Sequence, residues 1–451
     1  MKFNFTSLDE LKKYLQDLNI AIPICEDLEI LKQPIKINSK IIPNALAVHP
    51  MEGCDGTLDG NPGPLTLRRY ERFAKGGAGL LWVEASAISK ESRANPRQLH
   101  ICNENKEGFK NLLRHIDLSS KQAFGEGHKT YNVIQLTHSG RYSKPTGKSE
   151  PIIAALNPYL DKFMSNNYKI ITDVELERIE DSYVDAAEIA ANLGFDAVDI
   201  KSCHRYLNSE LLSAYTREGN YGGSFENRTR FLLNIIDKIK NKLGASIDIT
   251  LRMNAYDAIP YPYGFGVSKD CKEIPDLSEP IKLMKILYAK GVKLINISCG
   301  NPYYNPHVGR PFDIGPYTSL EDPIQSAAKM LNIVKELQQA VPDMIVIATG
   351  FTWFRDFAPF VAAGGIKEGW FKMAGFGRQA FAYPDFAKDI INNGEMDRNK
   401  CCITCSKCSE IMRDGGKTGC VIRDREVYGD IYNEGRKGKP SLQSTVLADH
   451  V

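Results

Sequence analysis

The chain has 451 residues, 43% of them hydrophobic and 25% charged, with a formal net charge of +2. That balance excludes a disordered or fibrous chain and allows a large buried core. A charge so close to neutral gives no general reason to expect nucleic acid or a membrane surface as a partner. No apolar run is long enough to span a bilayer and no signal peptide is visible, so a cytoplasmic location is expected.

Residues 7–32 read as helical alternation (Leu8, Leu11, Tyr14, Leu15, Leu18) broken at Pro23. Beyond it come short apolar runs at 44–51, 79–85, 131–138, 196–201, 248–254, 294–298, 344–349 and 369–374, rich in β-branched residues. Helical periodicity fills the intervals near 66–75, 107–118, 173–193, 225–242, 279–290, 323–339 and 355–363. Strand candidates that each can be followed by a helix predict an α/β chain folded as a (β/α)8 TIM barrel. The same alternation permits a doubly wound open sheet. Two βα segments are long, 140–171 and 299–322, and a barrel would place them on its C-terminal face, where active sites sit.

Eleven cysteines without a secretion signal point to metal or redox use rather than disulfides. Six are scattered; five fall between 401 and 420. Cys402, Cys405 and Cys408 are two residues apart in turn, and Cys420 follows in a nearby segment, so four thiolates can converge on one centre. Thiolates suit zinc or an iron–sulfur cluster. Structural zinc commonly uses two separated pairs, whereas three cysteines in one run plus one remote favour [4Fe–4S]. Cys401 is out of register.

The strand ends carry further residues. His49-Pro50-Met51-Glu52-Gly53-Cys54 follows the first strand, and Gln135 through Tyr142 ends the third. The fourth leads into Lys201-Ser202-Cys203-His204-Arg205-Tyr206-Leu207; Arg252 lies in the fifth, Gly350 follows the seventh and Gly377-Arg378 the eighth. In this order they resemble the old yellow enzyme family, over about residues 35–425. The likeness is nearest to the branch containing 2,4-dienoyl-CoA reductase and trimethylamine dehydrogenase, which carry a [4Fe–4S] cluster after the barrel.

The resemblance implies an FMN enzyme, with cofactor contacts at Pro50, Met51, Glu52, Ala85, Gln135, Arg252, Gly350, Gly377 and Arg378, and cluster ligands Cys402, Cys405, Cys408 and Cys420. Glycines permit close approach to a phosphate and Arg378 supplies a cation. Gln135 would meet the flavin pyrimidine edge, and Arg252 would sit near N1/O2. Tyr206 stands where relatives carry the proton donor; a phenol stays protonated at neutral pH yet can donate. His204 and Lys201 would hold a carbonyl oxygen, and an extended backbone would aim His204 and Tyr206 at one face. Arg205 replaces the usual glycine, leaving His204 or an Arg205-assisted acid as alternatives to Tyr206.

Lys201, His204, Arg205, His138 and Arg141 together predict an anionic substrate, a carboxylate or CoA-like thioester. Tyr303 and Tyr304 could wall the substrate. The expected organisation is a helical extension at 1–34, an FMN-binding barrel at 35–395, a cluster segment at 396–425 and a surface tail at 426–451. Cluster-bearing relatives continue into an FAD- and NAD-binding half, and no strand-flanked Gly-x-Gly-x-x-Gly occurs here. Electrons would therefore come from NAD(P)H directly or from a separate ferredoxin or flavoprotein through the cluster. A homo-oligomer is compatible with the sequence. The expected activity is ene-reduction; an amine dehydrogenase and a zinc-stabilised barrel without flavin are the competing readings.

Overall fold

A computed structural model describes residues 2–439; the end of the expected surface tail, 440–451, lies outside the described residues. Eight parallel strands close on themselves: β1 Leu46–Val48, β2 Leu80–Ala87, β3 Tyr131–Thr137, β4 Ala197–Ile200, β5 Asp248–Tyr256, β6 Leu294–Cys299, β7 Ile345–Ala348 and β8 Met373–Phe376. The seam pairs Ala374 of β8 with Leu46 of β1. The fold is thus the expected (β/α)8 barrel and not the open sheet. Among the described residues no helix is long and apolar enough to cross a membrane.

Local chemistry accounts for the outer helices. Asp173–Leu193 starts at a capping box, in which the Thr172 hydroxyl accepts from the Glu175 amide and the Glu175 carboxylate accepts from the Thr172 amide. Its buried face, Leu176, Tyr183, Val184, Ala187 and Ala190, follows helical spacing, and Gly194 with φ +94° ends it. The eighth strand begins later than its apolar run predicts. The preceding helix, Ala358–Lys367, runs up to Gly369 with φ +68°, and Phe371 packs edge-on against Phe351 instead of joining the sheet. The helix expected from Arg355 likewise starts at Ala358, because Arg355 adopts φ +49°.

The barrel's lower interior is sealed from below. A hairpin of Ile35–Ile37 and Lys40–Ile42 places Ile37 and Ile42 against Leu80, Trp82, Val133, Leu294 and Ile347, all buried. The helical reading of 7–32 is realised as Leu8–Asp17, with Leu11 and Leu15 inward, and a short 3-10 turn at Glu29–Lys32, while Phe3 and Phe5 meet Trp353 edge-on. After the barrel, Lys407–Arg413 and Arg425–Arg436 form two further helices, and Tyr428 is buried between them and the barrel side. The described part of the expected tail is therefore helical rather than a loose surface segment.

A buried carboxylate lies in the barrel interior. Asp199 of β4 is fully buried and accepts from Gln135 Nε2 at 2.6 Å, Trp82 Nε1 at 3.0 Å and the Arg252 amide at 2.7 Å. Burial raises its pKa to about 6 against the pull of these donors. An unfolded aspartate titrates near pH ~3.9, so the folded chain holds this proton more tightly between the two values. Stability contributed by Asp199 should fall as pH rises from about 4 to about 6, by roughly 3 kcal/mol in all. Urea denaturation of wild type and Asp199→Asn at several pH values should show their difference changing across that interval and flat above it; a constant difference would refute the assignment.

Candidate active site

The C-terminal mouth of the barrel opens into one cavity to which most strands contribute. β1 ends in His49, Pro50, Met51 and Glu52; β3 supplies Gln135 and β5 Arg252; β7 and β8 deliver Gly350, Gly377 and Arg378. Every residue expected at the cofactor lines this cavity except Ala85. That residue is wholly buried in β2, with its carbonyl accepting from Gln98 Nε2.

The donors fit FMN. Arg378 is 7% exposed; its Nη2 donates to the Pro311 carbonyl, while its Nη1 is buried with no protein partner. Beside it the backbone is left bare by glycine: Gly350 has φ +111°, and a Cβ on Gly377 would lie 3.1 Å from the Met51 sulfur. A buried cation facing uncovered backbone suits a phosphate. Across the cavity Arg252 Nε is buried without an acceptor, and Gln135 is held in place from below by Asp199. Such donors would suit a flavin's pyrimidine edge.

Lys201, His204 and Tyr206 line the same cavity, but not by strand alternation. His204 and Arg205 both adopt left-handed backbone, φ +63° and +61°, so the chain turns sharply after β4. This explains why a glycine would be natural at 205. Arg205 is not in the cavity: its guanidinium pairs with buried Asp257 at 3.0 Å and with Ser213. That pairing sets it apart from Lys201, His204 and Tyr206, with which it was expected. Tyr206 is 3% exposed and its hydroxyl lies 3.2 Å from Tyr303 Oη and 3.5 Å from Glu52 Oε1. Lys201 Nζ stands 3.5 Å from Glu52 and 3.7 Å from the centroid of the Tyr206 ring. Burial, joined by Glu52 and Tyr303, pushes the Tyr206 phenol well up, so it stays protonated.

The positive charge expected here is largely cancelled. Arg141 is paired with Glu210 and Asp161, Arg205 with Asp257 and Lys201 with Glu52. Burial lowers His138 to about 4, and burial with Arg252 and Lys201 nearby pushes His204 far down, so both rings are neutral. His204 Nε2 is 3.2 Å from Ser298 Oγ. The sequence reading missed Arg310, from the loop after β6, and Arg413, from beyond the barrel; both line the cavity. Nothing local marked them, because only the tertiary fold returns those segments to the mouth. Tyr303 does wall the cavity and stacks on Tyr142 at 3.9 Å, whereas Tyr304 faces a neighbouring groove.

Cys402, Cys405, Cys408 and Cys420 are half-buried and line a single small cavity, to which Arg378 and Phe381 also contribute. Left-handed Thr404 and Ser406, φ +48° and +58°, wrap the loop around it. The Thr404 amide donates to Cys402 Sγ and the Arg423 amide to Cys420 Sγ, at 3.4 and 3.3 Å. Cys401 points elsewhere, towards the Asp397 carbonyl. Among the described residues, no group of three or more Cys, His, Asp or Glu side chains stands arranged to hold a metal ion.

Residues 31–287, more than half of the chain, match the NADH:flavin oxidoreductase / NADH oxidase family. An NADH:flavin oxidoreductase of Gibberella zeae is 27% identical over 357 residues, 74% of this chain and 76% of that protein. Among solved structures, 2-naphthoyl-CoA reductase in complex with 2-naphthoyl-CoA superposes with a TM-score of 0.71 at 20% identity, over 90% of this chain and 58% of that one. The chain thus spans less than two thirds of that reductase. The old yellow enzyme homologue of Zymomonas mobilis superposes with a TM-score of 0.62 at 18% identity, over 81% of this chain and 94% of that one. At such identities the structural likeness speaks to the fold; the family match speaks to the chemistry and sets aside a flavin-free barrel. The chain belongs to the NADH:flavin oxidoreductase / NADH oxidase family and is an FMN-dependent oxidoreductase of the old yellow enzyme type.

Proposed function

We propose that the protein is an ene-reductase acting on an activated C=C bond, in an enoate, enone or enoyl thioester, with Tyr206 as the proton donor. The observation that carries this reading is the convergence of a buried, protonated Tyr206, a neutral His204 and the FMN-facing Arg252 and Gln135 on one cavity. Gln135, Arg252, Gly350, Gly377 and Arg378 would hold FMN, which in its reduced form would supply the hydride for the β carbon. Neutral His204 can donate a hydrogen bond to the activating carbonyl oxygen, favouring the charge that gathers there. Tyr206 gives its phenolic proton to the α carbon. The Lys201 ammonium over its ring favours the phenolate left behind. Tyr303, 41% exposed and 3.2 Å from Tyr206 Oη, offers the route by which solvent returns the proton.

Cys402, Cys405, Cys408 and Cys420 would hold a [4Fe–4S] cluster. Four sulfurs spread round one cavity, with amides donating to two of them, support this reading over a compact single-ion site. Cys408, Arg378 and Phe381 line both the sulfur cavity and the flavin cavity, so an electron entering at the cysteines has a direct path inward. The donor would be NAD(P)H at the flavin, or a ferredoxin or flavoprotein at the cluster.

An amine dehydrogenase remains the second reading, because Tyr206, Tyr303 and Phe381 give the cavity an aromatic lining that suits an ammonium group. Arg310 and Arg413 in the same cavity oppose it, since they would repel such a substrate.

Two measurements test the proposal. Mixing anaerobically reduced enzyme with a panel of enoates, enones and enoyl thioesters should return the flavin absorbance, and Tyr206→Phe should slow that return about 100-fold or more while chemical reduction is unaffected. A rate within threefold of wild type removes Tyr206 from the mechanism. Cys408→Ser should lose iron and acid-labile sulfide together and retain FMN; equal iron in both proteins would sink the cluster assignment.

A further inference from the structure

Arg310 is a half-buried cation at the barrel mouth without a carboxylate partner among the described residues. It comes from the loop after β6 and lines the flavin cavity. Its Nη1 donates to Ser409 Oγ, while its Nε is buried without any partner. Its charged neighbours are themselves cations: burial, then Arg378 and Arg413, lower its pKa to about 9, with the Cys408 sulfur and Tyr317 acting the other way. Arg413 also lacks an ion pair among the described residues; its Nη2 donates to the Pro302 carbonyl. The nearest carboxylate on its own helix, Glu410, is engaged by Arg436 and Tyr432.

Four guanidiniums, those of Arg252, Arg310, Arg378 and Arg413, thus line one cavity with no carboxylate partner among the described residues, since Glu52 in the same lining stands beside Lys201; Arg252 is the one proposed for the flavin's pyrimidine edge. Arg310 is half-buried and Arg413 exposed, but like charges crowded at one cavity repel one another, so such a cluster favours an incoming anion. The FMN phosphate accounts for Arg378, which lies beside the bare backbone of Gly350 and Gly377. Arg310 and Arg413 remain.

We infer that Arg310 and Arg413 form an anion subsite for the substrate's carboxylate, separate from the phosphate site at Arg378. Arg310 and His204 line the same cavity, so a carboxylate held there shares it with the group that would hold the activating oxygen. Tyr303, Pro306 and Arg413 line both this cavity and an outer groove walled by Tyr256, Tyr304 and Tyr317. An aromatic or extended apolar body can lie in that groove while its carboxylate is held by the two arginines. The anionic substrate expected from the sequence returns here on different residues: the cations first expected to attract it are paired or neutral. The inference rests on the ene-reductase reading for its substrate class, and on the flavin site alone for its geometry.

The test reads binding, not turnover. Oxidised FMN-loaded enzyme is titrated with cinnamate and with its uncharged methyl ester, following the flavin absorbance band. Wild type should bind cinnamate more tightly than the ester. Arg310→Gln should weaken cinnamate at least tenfold and the ester less than twofold, with FMN retained; Arg310→Lys should recover part of the loss. Arg413→Gln should weaken cinnamate in the same direction and serves if the Arg310 variant does not fold. Equal weakening of both probes, loss of FMN with the cinnamate-to-ester ratio unchanged, or no effect of either substitution would overturn the subsite. If the ratio shifts as expected while no alkene reoxidises the reduced enzyme, the subsite stands and ene-reduction fails.

Discussion

The buried carboxylate of Asp199 fixes the upper half of the barrel. Taking a charge out of water into a packed interior is costly unless donors replace the lost hydration. Here they come from three other strands: Trp82 on β2, Gln135 on β3 and the Arg252 amide on β5, with Asp199 itself on β4. Four consecutive strands are thereby held in register by one side chain. Strand periodicity then puts Lys201 two residues on, in the cavity above it. Gln135 and Lys201, which line the cavity, are thus aimed from below, and such preorganisation lets a site bind without spending energy on ordering itself.

Charge in the site follows the same economy. Basic residues at the strand ends read from the sequence as a field for an anion, yet the fold supplies each with a carboxylate from a different element: Glu210 for Arg141, Asp257 for Arg205, Glu52 for Lys201. Those pairs hold loops together. The Arg205–Asp257 pair holds a left-handed residue where a glycine would sit without strain. Charge free to act on a ligand is left to the arginines that find no carboxylate, and these come from segments far apart in the chain.

This division explains what was legible in the sequence. The barrel was readable because parallel strands buried on both faces are runs of β-branched and apolar residues, and the helices between them keep one apolar stripe. The eighth strand was misplaced because Trp370 and Phe371 are apolar for another reason, packing under the sheet's end. The residues that line the cavity were legible because barrel chemistry collects at strand ends, which sequence order locates. Ala85 lies outside that lining: it is in β2, and its carbonyl accepts from Gln98. Arg310 and Arg413 were illegible because neither lies at a strand end. One is deep in a loop of more than twenty residues and the other follows the barrel altogether, so only long-range packing defines their position.

That packing is anchored by the cysteine segment itself. The Cys402 amide donates to Gln379 Oε1 after β8, Thr404 Oγ1 accepts from the Asp313 amide in the loop after β6, and the Thr418 amide donates to the Gly53 carbonyl after β1. Ser409 meets Arg310, and the Arg97 guanidinium reaches the Gly415 carbonyl. A segment holding no strand of the barrel thus ties together the loops after four of its strands. By fixing Ser409 and Arg413 the cysteine loop therefore sets part of the wall of the cavity at the barrel mouth, so the position of that wall follows from contacts made by a segment outside the barrel.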